Sequence, residues 1–542
     1  MLLNNGKIGT RGITLARFFM IAALLVAESA FAANGQLDFC FGDFVGGSDC
    51  GRSGKTYFYW PDVDPASNPS GFPSARGAAV KVLATRDGGA IVVANIRAPY
   101  DLPYSGPQVI GISKRKRDGT ADTAFGDPDP FVLGSRTGRT LIYVNDDSDW
   151  LAADALLGSD GSIFIAGTVW SYPSGRSDMA IWKLNPDGST ATGFGNAGLK
   201  LAQRNGLPRD QGRALVRGQN LNYPAIAGNV TDNGDIGTLG MVFFSPGDGR
   251  LCVESVCGNV IGGDVGLPTQ WRMFRSGLSC GATASNVELI DVASGPYVET
   301  SPTDIHMDFA FATDWPCNGL RLAGLARFRL SFTGATPGWS YLGLLGNRFG
   351  GETVGLTDAF VRSIVYDPNR GGGWLMAGRA VNNSGGMRAG ISRHTIAGIA
   401  DTAFNGTGRL NFEMRNPFTP TDAGQAYIDD IAVMPDGRII AAGGFNFSSW
   451  TVGDAMLARL NPDGSFDNSF GNYSGLSPGR MSYGHEINGV DRDNRFASLA
   501  VTPDAQLLTA GYAYATTDTG YQYLSVMRVL AVDDRIFYSG ME

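Results

Sequence analysis

The chain has 542 residues, a net charge of −8 and a charged fraction of only 17%, and its 76 glycines are about twice the usual share. With no basic surplus there is no electrostatic footprint for nucleic acid, which excludes that class of partner from the expectation. Several domains would be ordinary at this length unless a repeat builds one large body, and abundant glycine points to a chain dense in tight turns.

Taken from its start, the chain opens on Lys7, Arg11 and Arg17, then an apolar run over residues 18–27, then Ala30-Phe31-Ala32 with small residues where a signal peptidase reads. Residues 1–32 are expected to be a secretory signal peptide cleaved near Ala32, because about ten apolar residues fall short of the roughly twenty that a membrane span needs. The mature protein is then secreted, periplasmic or held at the cell surface, with no transmembrane segment. Leu37-Asp38-Phe39-Cys40-Phe41-Gly42 follows. It has the form of a repeat tail without its front, and two readings stand: a strand that completes a unit begun by the C-terminus, or an ordinary capping strand.

The remainder is organised by a unit seen most plainly at residues 460–471, LNPDGSFDNSFG. Pro462 fixes one φ, the Asp463 side chain can bond the backbone ahead of it, and Gly464 tolerates positive φ, which is turn chemistry. The runs on either side, 455–460 and 465–470, are of strand length. Upstream, Ile431-Ala432-Val433-Met434, Pro435-Asp436-Gly437 and residues 438–443 make a second strand–turn–strand unit, so one period holds four strands.

Aligning the glycine of the second turn gives Gly119, Gly188, Gly249, Gly334, Gly398 and Gly464, with Asp534 in the last place, at intervals of about seventy residues. An independent marker, the strand after the first turn with its small-residue ending, shows six copies and room for a seventh between Gly228 and Gly378. The expected fold is therefore all-β, a single β-propeller of seven four-stranded blades over residues 33–542. Its repeat units fall at about 43–126, 127–195, 196–258, 259–343, 344–406, 407–471 and 472–542.

A strand ending Pro-Asp-Gly-Arg-Ile-Ile-Ala-Ala-Gly, followed by Leu-Ala-Arg-Leu-Asn-Pro-Asp-Gly-Ser-Phe-Asp-Asn-Ser-Phe-Gly, resembles the delta-60 repeat of secreted bacterial proteins. The resemblance is clear at 83–126, 155–195, 394–406 and 429–471 and weak between 200 and 345. The final repeat, 498–542, departs from it with Asp504-Ala505 and no closing Phe-Gly. It implies a propeller-like repeat and an exported setting, and brings no catalytic residues.

Six cysteines in an exported chain favour disulfides, and proximity suggests Cys40 with Cys50, Cys252 with Cys257 and Cys280 with Cys317. Zinc is not expected, since no C-x-x-C pair occurs and the only histidines are His306, His394 and His485. No metal and no cofactor is expected. Asp146-Asp147-Ser148-Asp149, Asp232-Asn233-Gly234-Asp235 and Asp491-Arg492-Asp493-Asn494 read as solvated turns, none of them a twelve-residue calcium loop. No G-x-S-x-G elbow, phosphate loop or H-E-x-x-H is present.

Both Asp-Gly turns of a blade join strands one to two and three to four, so both emerge on one face. The opposite face carries variable loops with aromatic residues, among them Trp170, Tyr172, Phe447, Trp450, Tyr512 and Tyr514. Loops on a rigid scaffold commonly carry function. The expected function is a non-enzymatic, monomeric binding or scaffold module for a protein or glycan. The alternative is a propeller hydrolase or lyase acting on an extracellular polymer, which requires carboxylates, or histidine with arginine, converging on the axis.

Overall fold

A computed structural model describes residues 36, 37, 41, 53, 55–58 and, with interruptions, 76–531, the longest segments outside the description being 251–271, 275–286 and 98–107. Among the described residues there is no helix, and seven four-stranded antiparallel blades stand around one axis as a propeller, the sixth extended by the short strand Met414–Arg415 and followed by a separate hairpin, His485–Ile487 with Val490–Arg492. The innermost strands, in blade order, are Arg76–Ala84, Ser148–Leu157, Gln211–Arg217, Glu288–Ser301, Leu356–Asp367, Ala423–Val433 and Asn494–Val501. The fourth blade also holds the hidden copy of the small-residue strand, Asp304–Cys317, where Ala312-Thr313 replaces the usual ending.

Packing explains why the second strands are so apolar. Ile163–Ser171 is buried at seven successive positions, because it lies between its own blade's neighbours and the blades on both sides. Seven buried clusters occupy the seven interfaces. Ile91, Val93, Ile110 and Ile112 of blade 1, for example, meet Trp150, Ile163, Ile165 and Trp182 of blade 2. Leu508 and Val526 of blade 7 meet Val82 and Val92 of blade 1, so the ring is closed. Each such fully buried side chain contributes about 1.5–3 kcal/mol.

The N-terminal region closes the ring. Lys55–Phe58 is the outer strand of blade 7, in register from Lys55 opposite Met527 to Phe58 opposite Leu524. Leu37 bridges Val529, the Leu530 amide donates to the Gln36 carbonyl at 2.8 Å, and Phe41 is fully buried in the cluster between blades 7 and 1. The strand that completes the last blade is thus Lys55–Phe58 rather than residues 37–42, of which only Leu37 and Phe41 are described.

The Asp-Gly turns behave as their chemistry requires. Asp463 accepts from the Ser465 amide at 2.9 Å and hydroxyl at 2.7 Å, and Asp187 and Ser189 repeat the pattern at 3.0 and 2.6 Å. Three of the second turns also latch onto the residue after the closing Phe of the preceding blade. The amides of Gly126, Gly195 and Asn405 donate to the carbonyls of Asp187, Asp248 and Asp463 at 2.8, 2.9 and 2.7 Å. The two turns of one blade share a face, as Gly161 lies against Pro186 in blade 2.

One expectation is corrected. Residues 465–470 form successive turns, and the fourth strand of blade 6 is Arg480–Tyr483, paired with residues 455–458. The reason is Asp467, which accepts from the Ser469 amide and hydroxyl at 2.9 and 2.7 Å and from Arg459 at 2.9 Å, holding the segment in a compact loop. Lys114 with Asp122 and Arg393 with Asp401 make the same basic–acidic pair beneath their turns.

Candidate functional site

All seven innermost strands carry a β-bulge at the same place, after Ala79, Ala152, Gly212, Leu289, Val361, Ile428 and Phe496. The bulge turns backbone amides toward the axis and brings a carbonyl hard against the second strand. A Cβ at Gly167 would come 1.8 Å from the Leu151 oxygen, and one at Gly443 would come 2.1 Å from the Tyr427 oxygen. This close approach is what the repeated small-residue ending serves.

The residues just past the bulges form a ring of polar contacts from blade to blade. Asp154 accepts from the Leu215 amide, Asp291 from Ile364 and Asp430 from Leu499, each at 2.9 Å, and Ser498 accepts from Val82 at 3.1 Å. The ammonium of Lys81 lies 3.5 Å from Asp154 and 4.0 Å from Asp430, which plugs the axis. Asp154 first, then Asp430, raise the Lys81 ammonium above the usual lysine range against the cost of burial. Burial pushes the Asp291 carboxyl up to about 7, with Lys81 opposing the shift.

Above the plug, on the face away from the Asp-Gly turns, a cleft of about 440 Å³ opens between blades 1, 2 and 3. Trp170 and Tyr172 line it together with Asn95, Asp149, Gln211 and Arg213. Tyr172 is 51% exposed. Arg213 donates to Glu288 at 2.6 Å, which carries the wall into blade 4. Directly across the strand pair from Glu288 is Asp314, whose side chain is 8% exposed and whose Oδ1 makes no hydrogen bond. Burial pushes the Asp314 carboxyl up to about 6, with Arg362 and Arg321 pulling it down and Glu288 adding to the rise.

Further round the ring, blades 4 to 7 carry stacked arginines. Arg321 and Arg379 lie over the Phe360 ring at 5.5 and 5.0 Å, and Arg495 lies over Tyr427 and Tyr512 at 5.7 and 5.3 Å. Burial raises the Asp429 carboxyl above the ordinary range in spite of Arg495, Arg362 and Arg379 around it. Burial, then the neighbouring Arg362 charge, lower the Arg379 guanidinium.

The aromatic residues singled out from the sequence are therefore divided. Trp170 and Tyr172 share the cleft, and Tyr512 stands on the arginine wall. Tyr514 ends the strand Leu507–Tyr514, while Phe447 and Trp450 lie outside the described residues. Cys40, Cys50, Cys252, Cys257 and Cys280 also lie outside them, and the backbone of Cys317 ends the second strand of blade 4. Among the described residues no group of three metal-ligating side chains occurs, and no helix is long and apolar enough to cross a membrane.

Sequence reasoning missed Glu288, Asp314, Arg362, Arg379, Asp429 and Arg495. A signal was present for two of them. The positive-φ residue of the first turn is Gly88, Gly161, Arg370, Gly437 or Ala505, and counting back eight positions reaches the bulge residue each time: Val80, Ala153, Arg362, Asp429 and Ala497.

A family profile described as a domain of unknown function (DUF5122) beta-propeller matches residues 158–194 and 435–470, so the chain carries repeats of a propeller family. No curated protein matches the chain. Solved structures similar to it include a PL25 ulvan lyase at 12% identity and a TM-score of 0.37, covering 86% of this chain and 99% of that one. The alpha-L-arabinofuranosidase Arb93A of Fusarium graminearum follows at 12% and 0.33, covering 72% and 94%. The NanB sialidase of Streptococcus pneumoniae stands at 10% and 0.34, covering 87% and 70%. At this identity no residue of those enzymes maps onto a residue of this chain.

The expected non-enzymatic binding or scaffold function is corrected here. Its premise was that no carboxylates gather near the axis, whereas Glu288 stands directly across the strand pair from Asp314 and Asp429 occupies the bulge of the sixth innermost strand, with burial raising both aspartates. They escaped notice because no two of them occupy the same register position of the repeat.

Proposed function

We propose that this chain is a propeller hydrolase or lyase that cleaves an extracellular polysaccharide in the cleft above the axial plug. The observation that carries the reading is the Glu288 and Asp314 pair: an exposed carboxylate, 42% accessible and held by Arg213, beside a buried one whose carboxyl sits at about 6. A carboxyl poised there can give or take a proton near neutral pH, which glycosidic cleavage requires in either its hydrolytic or its eliminative form. Trp170 and Tyr172 supply flat apolar faces on which sugar rings can stack, and the Lys81 plug makes the cleft blind, so the polymer is gripped from one side.

The same proposal takes the repeats to be of the delta-60 type and the chain to be exported by its N-terminal signal, with the three local cysteine pairs forming after export. Reducing-end release from a panel of polysaccharides tests the reading, and ultraviolet absorbance of an unsaturated product separates elimination from hydrolysis. Asp314→Asn should lower the rate by about a hundredfold or more. Full activity in that variant, or no cleavage of any polymer by the wild-type protein, would remove the reading.

A further inference from the structure

We propose that the polymer bound in this cleft carries a fixed negative charge on its sugar rings, a carboxylate or a sulfate ester, and that Arg362, Arg379 and Arg495 bind it. The inference rests on the cleavage site described above and adds its substrate class.

The way these arginines are held is the first support. Arg379 is oriented by the Phe360 ring, so stacking fixes its guanidinium plane without using the N–H edge, while Arg495 is held by the Tyr427 and Tyr512 rings together with a hydrogen bond to Tyr427. The Nε atoms of Arg379 and Arg495 are buried and make no hydrogen bond. Asp429 Oδ2 ion-pairs with Arg495 Nε at 3.4 Å, and Arg379 makes no such pair with it.

Charge supplies the second support. In a chain of net charge −8, Arg321, Arg362, Arg379 and Arg495 are gathered around Asp314 and Asp429, whose carboxyls are both held above their ordinary range. Mutual repulsion between Arg362 and Arg379 is a standing cost that Asp429 alone does not relieve. An anion seated between them would relieve it, and a planar guanidinium edge matches a carboxylate or sulfate in two-point contact. A wall built for uncharged sugar would need amides and hydroxyls and would gain nothing from this array.

Titration calorimetry with three probes of equal length tests the inference: an oligogalacturonate, a sulfated glucan oligomer and the uncharged glucan oligomer. At least one anionic probe is expected to bind about tenfold or more tighter than the uncharged one and to weaken with added salt. The better of the two identifies carboxylate or sulfate. Arg362→Gln/Arg379→Gln should erase that preference while leaving the uncharged probe unchanged. Arg362→Gln alone, at an exposed side chain, serves if the double variant does not fold. Equal affinity for charged and uncharged probes, no binding of either anionic probe, or wild-type preference in the variants would overturn it. The two readings fail separately. Binding of an anionic probe by Asp314→Asn and wild-type protein alike, with no polymer cleaved, leaves the anion subsite and removes cleavage. Cleavage of uncharged polymer, indifferent to the arginine variants, does the reverse.

Discussion

The two faces of the ring treat their arginines in opposite ways. On the turn face, Arg459 is fully buried and every edge is engaged: Asp467 at 2.9 Å, the Ala531 carbonyl at 2.5 Å, Ser469 at 3.0 Å and the Phe470 ring at 4.6 Å. Burial lowers its guanidinium to about 10, against the pull of Asp467. On the loop face, Arg379 is held by the Phe360 ring and its Nε makes no hydrogen bond, and Arg495 is held chiefly by the Tyr427 and Tyr512 rings. The same residue type is a rivet on one side and an open contact on the other. What separates them is whether hydrogen bonds or stacking fix the side chain.

That contrast can be broken most directly by stability measurements. Arg459→Met should lower unfolding free energy by about 3–5 kcal/mol, because Asp467 is left as a buried charge without its main partner. Arg379→Gln should cost less than about 1 kcal/mol, since no hydrogen bond is lost. Equal losses in denaturant melts would mean that the loop-face arginines are structural as well.

The axial plug sharpens the comparison through pH. Asp291, ordinarily near 3.8, titrates at about 7 in the fold, so the folded chain keeps a proton that the unfolded chain has released between those values. Its contribution to stability is present below about pH 4 and is lost as pH rises through about 7. In Asp291→Asn that loss should vanish, leaving the variant's advantage over wild type to grow across the window by an amount on the order of 4 kcal/mol. Parallel stability curves for the two proteins would show that Lys81 and the Ile364 amide hold Asp291 ionised throughout, against Asp154 and Asp430. The smallest effect belongs to a single turn: Asp463→Ala removes both bonds to Ser465 and should lower stability by about 1 kcal/mol. No measurable change there would mean that Pro462 and Gly464 suffice for the turn and its latch on Asn405.

How much of this was legible in the sequence follows the same division between faces. The turns could be read because their chemistry is local: Pro462, Asp463 and Gly464 dictate a turn whatever surrounds them, and the fold needs that turn wherever one blade latches to the next. Blade number was within reach for that reason, whereas the closing strand Lys55–Phe58 carries no such local signature. The fourth strand was misplaced because 465–470 has strand-like composition, while the Asp467 contacts that fold it into turns depend on Arg459 eight residues earlier. The axis was not legible. A bulge amide can be met by any acceptor, so Asp154, Asp291, Asp430 and Ser498 do one job with two residue types, and Lys81 appears once. Glu288 and Asp314 lie far apart in the chain and become neighbours only through strand pairing in the blade whose repeat is most degenerate.

The pairing of Lys55–Phe58 with residues 524–527 sets an order of events. A chain made from its N-terminus produces this strand first and its partner nearly last, so blade 7 is the slowest contact to find and the ring remains an open arc until synthesis is almost complete. Throughout that interval Gln522–Val529, once formed, presents an unpaired sheet edge that the same strand of a second molecule could fill equally well. Closure in cis thus competes with exchange between chains. The outcome depends on protein concentration during folding rather than on any property of the finished ring.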